Sequence, residues 1–182
     1  MNTIIGPNLP EPQFSAVKTL WEDIADEFGE DSIGVQYEDV NPYPHITMYA
    51  LDDAAAVGTI ASAVESAVEH HDPFTVTTDG VGVFPGNNVW LPVGKSPQLL
   101  ELHRDVVEAV HPLGTAPVPY YEPHRWFPHV GFALQVADEQ IGDVVSFLLG
   151  YDLEWEIPID DISITRKPTP EAAHELEATI EL

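Results

Sequence analysis

Apolar residues recur at helical spacing in four segments of the chain. In each segment they follow the i, i+3, i+4, i+7 pattern that lines one face of an α-helix. The predicted amphipathic helices lie at 14–28, 57–64, 99–110 and 141–148. Ser96 and Pro97 are suited to the N-cap and the first position of the third helix. We expect Asp52 or Asp53 to cap the second helix and Asp138 to cap the fourth.

Alternation of apolar and polar residues predicts strands between these helices. The strands lie at 33–37, 74–83, 89–93 and 153–164. Two more are predicted around His45 and His129, each of which follows a proline. Because alternate strand residues point to opposite faces, we expect Ile46 and Met48 to face the core while His45 faces away from it.

The chain contains an internal repeat with an offset of 84 residues. This offset places the Pro-His pair at 44–45 on the pair at 128–129, and the helix at 57–64 on the helix at 141–148. We predict one α+β domain over residues 1–182, with pseudo-repeats at approximately 12–84 and 96–167. Such a domain is bilobal with a pseudo-two-fold axis, antiparallel sheets, helices on the outer faces and a central cleft.

The repeat places one histidine on each of two equivalent strands. Residues i and i+2 of a strand share a face, so His45 projects with Thr47, and His129 with Gly131. Lobes that face each other bring both imidazoles to one cleft. There a neutral imidazole can take a proton from an attacking oxygen while an imidazolium protonates a leaving oxygen. The alternative is that both histidines are structural residues without a catalytic role. Their matched positions in the repeat make this alternative less favoured.

These residues resemble the two-histidine (2H) phosphoesterase superfamily, whose 2′-5′ RNA ligase-like and cyclic phosphodiesterase members carry paired His-x-Thr/Ser motifs. The similar segments are 45–48 and 129–132, and the likeness extends from the first helix to about residue 165. The resemblance implies metal-free and cofactor-free hydrolysis of 2′,3′-cyclic phosphates on nucleotides or RNA ends, or 2′-5′ ligation. It also implies catalytic roles for His45, Thr47 and His129.

Gly131 departs from this pattern, because the second motif of the family has Thr or Ser at that position. A lost hydrogen bond to a charged group costs about 1.5–3 kcal/mol. A water or the Gly131 N–H can compensate, and if the hydroxyl is limiting, Gly131→Ser should raise activity. The alternative hypotheses are a phosphate- or nucleotide-binding module without turnover and a structural or interaction protein.

Other residues beside the histidines are candidates for substrate binding. Arg125 can bind phosphate, and the alternative is a surface ion pair with Glu122. Aromatic side chains can stack a base, although packing or loop anchoring is the alternative for each. The aromatic candidates are Tyr43, Tyr120, Tyr121 and Trp126. The cluster at 70–72 is not expected to bind a metal, because adjacent residues at a helix end diverge.

The chain is strongly acidic. It has 182 residues and a formal net charge of −25, from 31 Asp and Glu against six Lys and Arg. The carboxylates are scattered, which is typical of proteins from salt-accumulating cells, where about 1 M salt shortens the Debye length to roughly 3 Å. A cationic partner is the alternative. This charge argues against sequence-independent DNA binding, but it is compatible with a cleft that reads one phosphate.

The chain has no cysteine, which excludes disulfides, thiolate zinc sites and a cysteine nucleophile. No basic and apolar leader opens it, and no apolar run reaches the roughly 18 residues that span a bilayer. We expect a cytoplasmic monomer without membrane association. The expected partner is a nucleotide or an RNA terminus that carries a cyclic phosphate.

Overall fold

The computed structural model describes residues 2–29, 33–35 and 37–182. Within these ranges the helices are α1 (Gln13–Phe28), α2 (Tyr37–Val40), α3 (Val57–Val68), α4 (Pro97–Val110) and α5 (Ile141–Leu148). The strands are β1 (Thr3–Gly6), β2 (Ile33–Val35), β3 (Tyr49–Leu51), β4 (Phe74–Thr77), β5 (Gly82–Phe84), β6 (Asn88–Pro92), β7 (His129–Val136), β8 (Glu156–Ile159), β9 (Asp161–Arg166) and β10 (Glu175–Glu181). Two 3₁₀ helices lie at His111–Leu113 and Pro119–Tyr121.

The described strands form two four-stranded antiparallel sheets and one two-stranded pair. The first sheet has the order β10-β9-β1-β3 and the second has the order β2-β7-β6-β5, while β4 pairs with β8. Helix α3 packs on β9 and β10 and against α4, and α1 packs on β7. Antiparallel sheets with helices packed against them confirm the predicted α+β fold class.

Each sheet draws on both halves of the chain. Helix α1 precedes the first Pro-His pair in the sequence, yet it packs on β7, which carries His129. Helix α4 precedes β7, yet it packs on α3 beside the first sheet. Strand β9 comes from the second half and pairs with β1 at the N-terminus. The sequence repeat therefore gives the order of the elements along the chain. In the structure, each sheet combines strands from both halves of the chain.

The four predicted helices are confirmed, but two of their predicted caps are wrong. The Ser96 hydroxyl accepts a hydrogen bond from Leu99 N at 3.1 Å, as expected for the cap of α4. Ala56 and Gln140 hold the cap positions of α3 and α5, and neither makes a side-chain cap hydrogen bond. The aspartates bind elsewhere, because Asp52 accepts from Asn2 N and Asp138 from Asn87 Nδ2. Asp53 caps neither helix.

Two predicted strands are each divided in the structure. The segment 74–83 contains β4 and β5, and the segment 153–164 contains β8 and β9. In both cases the two parts pair in different sheets, so the chain must leave the first partner before it joins the second. The segment 33–37 gives β2, while residue 36 lies outside the described residues and Tyr37 begins α2. Strands β1 and β10 were not predicted.

The segment around His45 is a bulged extension of β3 rather than the predicted regular strand. Ile5 of β1 pairs with Tyr49, whereas Asn8 bridges His45. Three steps along one chain therefore oppose four steps along the other, which is the extra residue of a β-bulge. The predicted alternation survives, since Ile46 and Met48 are fully buried in the core.

The bulged segment lies in close contact with β1 at Gly6. Hydrogen bonds from Met48 N to Ile5 O (2.9 Å) and from Ile46 N to Pro7 O (3.0 Å) flank the contact. A Cβ atom on Gly6 would lie 2.1 Å from Ile46 O and 2.9 Å from Met48 N. Glycine is therefore required where β1 supports the segment that carries His45.

The acidic residues lie at the surface, because none of the described Asp and Glu side chains is buried. The core consists of apolar side chains from the sheets and helices; fully buried members include Ile5, Met48, Leu51, Leu102 and Val130. In the described ranges, no helix combines the length and the apolar character that crossing a lipid bilayer requires.

We predict that Gly6→Ala destabilises the protein by about 1–3 kcal/mol, the usual cost of overpacking, because the added methyl group meets the backbone of residues 46–48. The matched control is Gly58→Ala in α3, where a Cβ atom meets nothing within 4 Å. The control should gain about 0.5–1 kcal/mol from its helix propensity. Urea unfolding of both variants measures the difference, and equal stabilities would contradict the proposed contact.

We also predict that the protein becomes more stable as salt is added. Surface carboxylates repel one another in the folded state, and raising KCl from about 0.1 M to about 1 M shortens the Debye length from roughly 10 Å to roughly 3 Å. Thermal unfolding across this range should show a rising Tm. A Tm that stays constant or falls would contradict the interpretation of the −25 charge as a salt-adapted coat.

Candidate active site

A cavity of about 450 Å³ contains both histidines of the repeat. Its wall combines residues near the first histidine, residues of the loop that precedes β7, and residues of β5, β6 and β7. The members outside these strands include Tyr37, Asn41, His45, Thr47, Tyr120, Tyr121 and Arg125. This volume lies in the range of small-molecule sites. Among its described lining residues there is no Asp or Glu, and Arg125 is the one Lys or Arg. Although the chain carries a net charge of −25, the described wall of this cavity contains no carboxylate. An anionic ligand would therefore meet no negatively charged side chain there.

Both imidazoles are oriented by the same local hydrogen bond. Nδ1 of His45 lies 2.6 Å from the carbonyl oxygen of Tyr43, and Nδ1 of His129 lies 2.7 Å from that of Phe127. A carbonyl oxygen only accepts, so each Nδ1 carries the proton and donates it. The Nε2 lone pair of each ring is therefore free to accept a proton or bind a ligand.

Burial lowers the pKa of both histidines. The pKa of His45 falls to about 4, first through desolvation and further through the nearby His129, although the hydrogen bond to Tyr43 opposes the shift. Burial also lowers the pKa of His129, whose ring meets Phe84 and Trp90 at centroid distances of 4.9 and 5.7 Å. Both imidazoles are thus neutral at neutral pH in the free protein, and a bound anion would raise their pKa values.

We call each histidine, together with the residue two positions later, a half-site. In the first half-site, Thr47 lines the cavity and is 7% exposed. Its carbonyl accepts a hydrogen bond from Trp126 Nε1 at 2.8 Å, and its side chain hydrogen-bonds Tyr121. His45 and Thr47 therefore lie on the same wall, as the i and i+2 spacing predicts.

Trp126 and Tyr43 were predicted to bind substrate by stacking on a base, but the structure gives both residues other contacts. Trp126 borders the cavity but is only 1% exposed, and its ring stacks on His103 at 3.7 Å with an interplanar angle of 5°. These contacts match the loop-anchoring alternative. The Tyr43 side chain is not part of the cavity wall, and Tyr43 acts through the carbonyl that orients His45. Tyr121 does line the cavity.

Arg125 faces the cavity rather than a surface ion pair. Glu122, its alternative partner, accepts a hydrogen bond from the Tyr49 hydroxyl at 3.1 Å and lies 3.8 Å from His111 Nδ1. The guanidinium of Arg125 lies over the ring of Tyr120 at 5.4 Å. In the described part of the chain Arg125 makes no ion pair, so its charge is available at the cavity.

In the second half-site, the space beside Gly131 is filled by Tyr37. A Cβ atom on Gly131 would lie 1.7 Å from the Tyr37 hydroxyl oxygen and 2.0 Å from its Cζ. The indole of Trp21 stacks on the Tyr37 ring at 5.2 Å and donates a hydrogen bond to Gly131 O at 2.9 Å. The side chain of a serine at position 131 would therefore collide with Tyr37, and Gly131→Ser could raise activity only if Tyr37 moved.

Sequence reasoning missed Tyr37 and the aromatic side chains around His129. Phe84, Trp90 and Phe127 surround this imidazole, with Phe84 stacked on Trp90 at 4.4 Å. The signal for Tyr37 is topological: β2 pairs with β7 through Val35 and Leu134. Because the strands are antiparallel, Tyr37, which follows Val35 by two positions, lies toward the start of β7.

The cluster at 70–72 has a structural role. His71 Nε2 lies 3.0 Å from a carboxylate oxygen of Asp105, which links the end of α3 to α4. Among the residues that the structure describes, no group of three or more His, Asp or Glu side chains is placed to hold a metal ion.

Comparisons with known proteins agree with this fold. Escherichia coli LigT complexed with 3′-AMP has a TM-score of 0.66 and 13% identity, covering 100% of this chain and 97% of LigT. TT0787 of Thermus thermophilus has a TM-score of 0.65 and 16% identity, covering 100% of this chain and 98% of TT0787. At these identities the likeness shows a shared fold.

The structure of LigT complexed with NADP⁺ matches with a TM-score of 0.63 and 14% identity, over 100% of this chain and 97% of LigT. No curated protein sequence matches the chain. A family model does match most of it, residues 9–171, and that range includes both half-sites. The chain therefore belongs to the 2′-5′ RNA ligase superfamily of 2H phosphoesterases.

Proposed function

We propose that the protein is a phosphodiesterase that opens 2′,3′-cyclic phosphates on nucleotides or RNA ends. The observation that carries this proposal is the pair of imidazoles in one cavity, each with Nδ1 bound to a backbone carbonyl and with no hydrogen-bond partner for Nε2 among the described residues. Membership of the 2′-5′ RNA ligase superfamily supports phosphoester chemistry. The absence of carboxylates from the described cavity wall supports an anionic substrate.

The two histidines supply the acid and the base. A neutral imidazole accepts a proton from water through Nε2 as the water oxygen attacks phosphorus. The other imidazole, protonated on Nε2, donates its proton to the 2′ or 3′ oxygen as the ring P–O bond breaks. The products are a free hydroxyl and a phosphomonoester, and the proton moves between the histidines over one cycle. The same steps with a 5′-hydroxyl in place of water would form a 2′-5′ bond, because the 5′ oxygen attacks phosphorus while the P–O3′ bond breaks and the 3′ oxygen takes the proton.

The remaining cavity residues bind the substrate. The Thr47 hydroxyl and the Arg125 guanidinium supply donors for the phosphoryl oxygens, where negative charge grows in the transition state. Tyr120, Tyr121 and Phe127 offer aromatic surface for the base, and Tyr120 is 61% exposed. LigT was solved in complex with 3′-AMP, which supports a ribonucleotide as the ligand class.

We predict that His45→Ala and His129→Ala each lower the turnover of a 2′,3′-cyclic nucleotide by about 10²–10⁴-fold, the usual contribution of general acid–base catalysis. The control is His70→Ala, because His70 is exposed and lies outside the cavity wall. Product release in molar KCl measures the rates, with a 2′-5′-linked dinucleotide as a second substrate. Activity that survives either substitution would refute the mechanism. Binding of the cyclic nucleotide without turnover by the unsubstituted protein would establish a binding module instead.

The pH dependence follows from the two lowered pKa values. Catalysis needs one charged and one neutral imidazole, and in the free protein that state is populated only at acidic pH. We expect kcat/KM to peak below about pH 6.5, the ordinary pKa of histidine, and to fall as the pH rises. The peak of kcat should lie at higher pH, because the bound phosphate raises the imidazole pKa values.

Steady-state rates between about pH 4 and about pH 8 separate the two profiles. His70→Ala should reproduce both curves of the unsubstituted protein, since its side chain does not line the cavity. A kcat/KM that is flat over this range, or that rises toward pH 8, would contradict acid–base exchange between these imidazoles.

A further inference from the structure

The two half-sites are unequal in the hydroxyl groups that they supply. Thr47 places a hydroxyl two residues after His45, whereas Gly131 has no side chain two residues after His129. The missing side chain leaves no empty space, since the Tyr37 hydroxyl oxygen lies 1.7 Å from the place of a Cβ atom on Gly131. A serine oxygen at position 131 would lie one bond beyond that Cβ. The Tyr37 oxygen is therefore close to the position that such a hydroxyl would take.

Tyr37 is held in this position by α1. Trp21 stacks on its ring at 5.2 Å with an interplanar angle of 8°, and the Trp21 indole donates to Gly131 O. One side chain thus fixes both the tyrosine ring and the strand backbone beside it. Lys18 of α1 also forms an ion pair with Glu38, the residue after Tyr37. A donor that is positioned before the ligand arrives loses little conformational entropy on binding.

The Tyr37 hydroxyl is available to a ligand. Tyr37 lines the cavity together with His129 and Gly131, and no described residue accepts a hydrogen bond from its hydroxyl. Burial, with a smaller effect from the nearby Tyr121, raises the pKa of Tyr37. The phenol therefore keeps its proton across the neutral range, and a phenolic O–H donates a strong hydrogen bond to an anionic oxygen.

We propose that the Tyr37 hydroxyl binds a phosphoryl oxygen beside His129 and replaces, from a neighbouring element, the hydroxyl that position 131 lacks. The second half-site is then complete although its strand carries glycine. This inference rests on the proposed function, since it places the phosphate of the substrate between His45 and His129.

Tyr37→Phe tests the proposal, because it removes the hydroxyl and keeps the ring that stacks on Trp21. We expect kcat/KM for a 2′,3′-cyclic nucleotide to fall by about 10- to 100-fold, the effect of one lost hydrogen bond to a charged group. The matched control is Tyr151→Phe, whose hydroxyl binds Asp23 on the surface. Tyr151→Phe should keep full activity. Equal kcat/KM values for Tyr37→Phe and the unsubstituted protein would overturn the proposal.

Binding measurements separate phosphate recognition from a purely structural role. Isothermal titration with a nucleoside 3′-monophosphate and with the corresponding nucleoside should show that Tyr37→Phe weakens only the binding of the monophosphate. Equal losses for both ligands, or no loss, would overturn the proposal. This arm does not require turnover, so a protein that binds phosphate through Tyr37 without catalysis would disprove the proposed function and retain this inference.

A double substitution moves the hydroxyl back to the strand. Tyr37→Ala clears the space beside position 131, and adding Gly131→Ser supplies a hydroxyl there. We expect the double variant to recover at least about tenfold of the kcat/KM lost by Tyr37→Ala. Gly131→Ser alone should lower Tm, because its Cβ collides with Tyr37. A folded double variant no more active than Tyr37→Ala would show that a hydroxyl at this place does not bind the phosphate.

Discussion

The candidate active site depends on the antiparallel pairing of β1. This strand lies between β3 and β9, so it joins the N-terminal end of the chain to the strand that returns from the second half. Its continuation at residues 7–9 also holds the bulged segment that carries His45. Gly6 permits the close contact there, since a side chain would meet the carbonyl of Ile46. The position of the His45 imidazole thus depends on backbone contacts between groups that take no part in the proposed reaction.

The two histidines show how far local rules determine the geometry. Each Nδ1 binds the carbonyl oxygen two residues earlier, at 2.6 and 2.7 Å, so the tautomer needs no distant partner. The side chains that surround the two imidazoles differ more than these hydrogen bonds do. Phe84 and Trp90 contact His129, whereas His45 lies beside Asn41. Similar protonation states therefore arise from a shared local contact together with two different kinds of burial.

Sequence patterns predicted the parts of the structure that depend on near neighbours. The four helices, the buried Ile46 and Met48, and the pairing of His45 with Thr47 all follow from spacings of two to four residues. The bulge before β3 arises from pairing with β1, about 40 residues away in the chain, and no local spacing encodes it. Strand β10 was missed because most of its residues are exposed and Ile180 alone is buried. Tyr37 reaches Gly131 through the register of β2 on β7, which the sequence of either strand alone does not specify.

The overlap between Tyr37 and position 131 couples the two positions in evolution. A lineage that acquires serine at 131 while it keeps Tyr37 must accommodate two groups in one volume, whereas one that first replaces Tyr37 with a small residue leaves that volume empty. Either order passes through an intermediate with disturbed packing, so a change at one position constrains what the other can become. Drift at a single site is thereby restrained, and glycine on the strand can persist together with tyrosine at the start of α2.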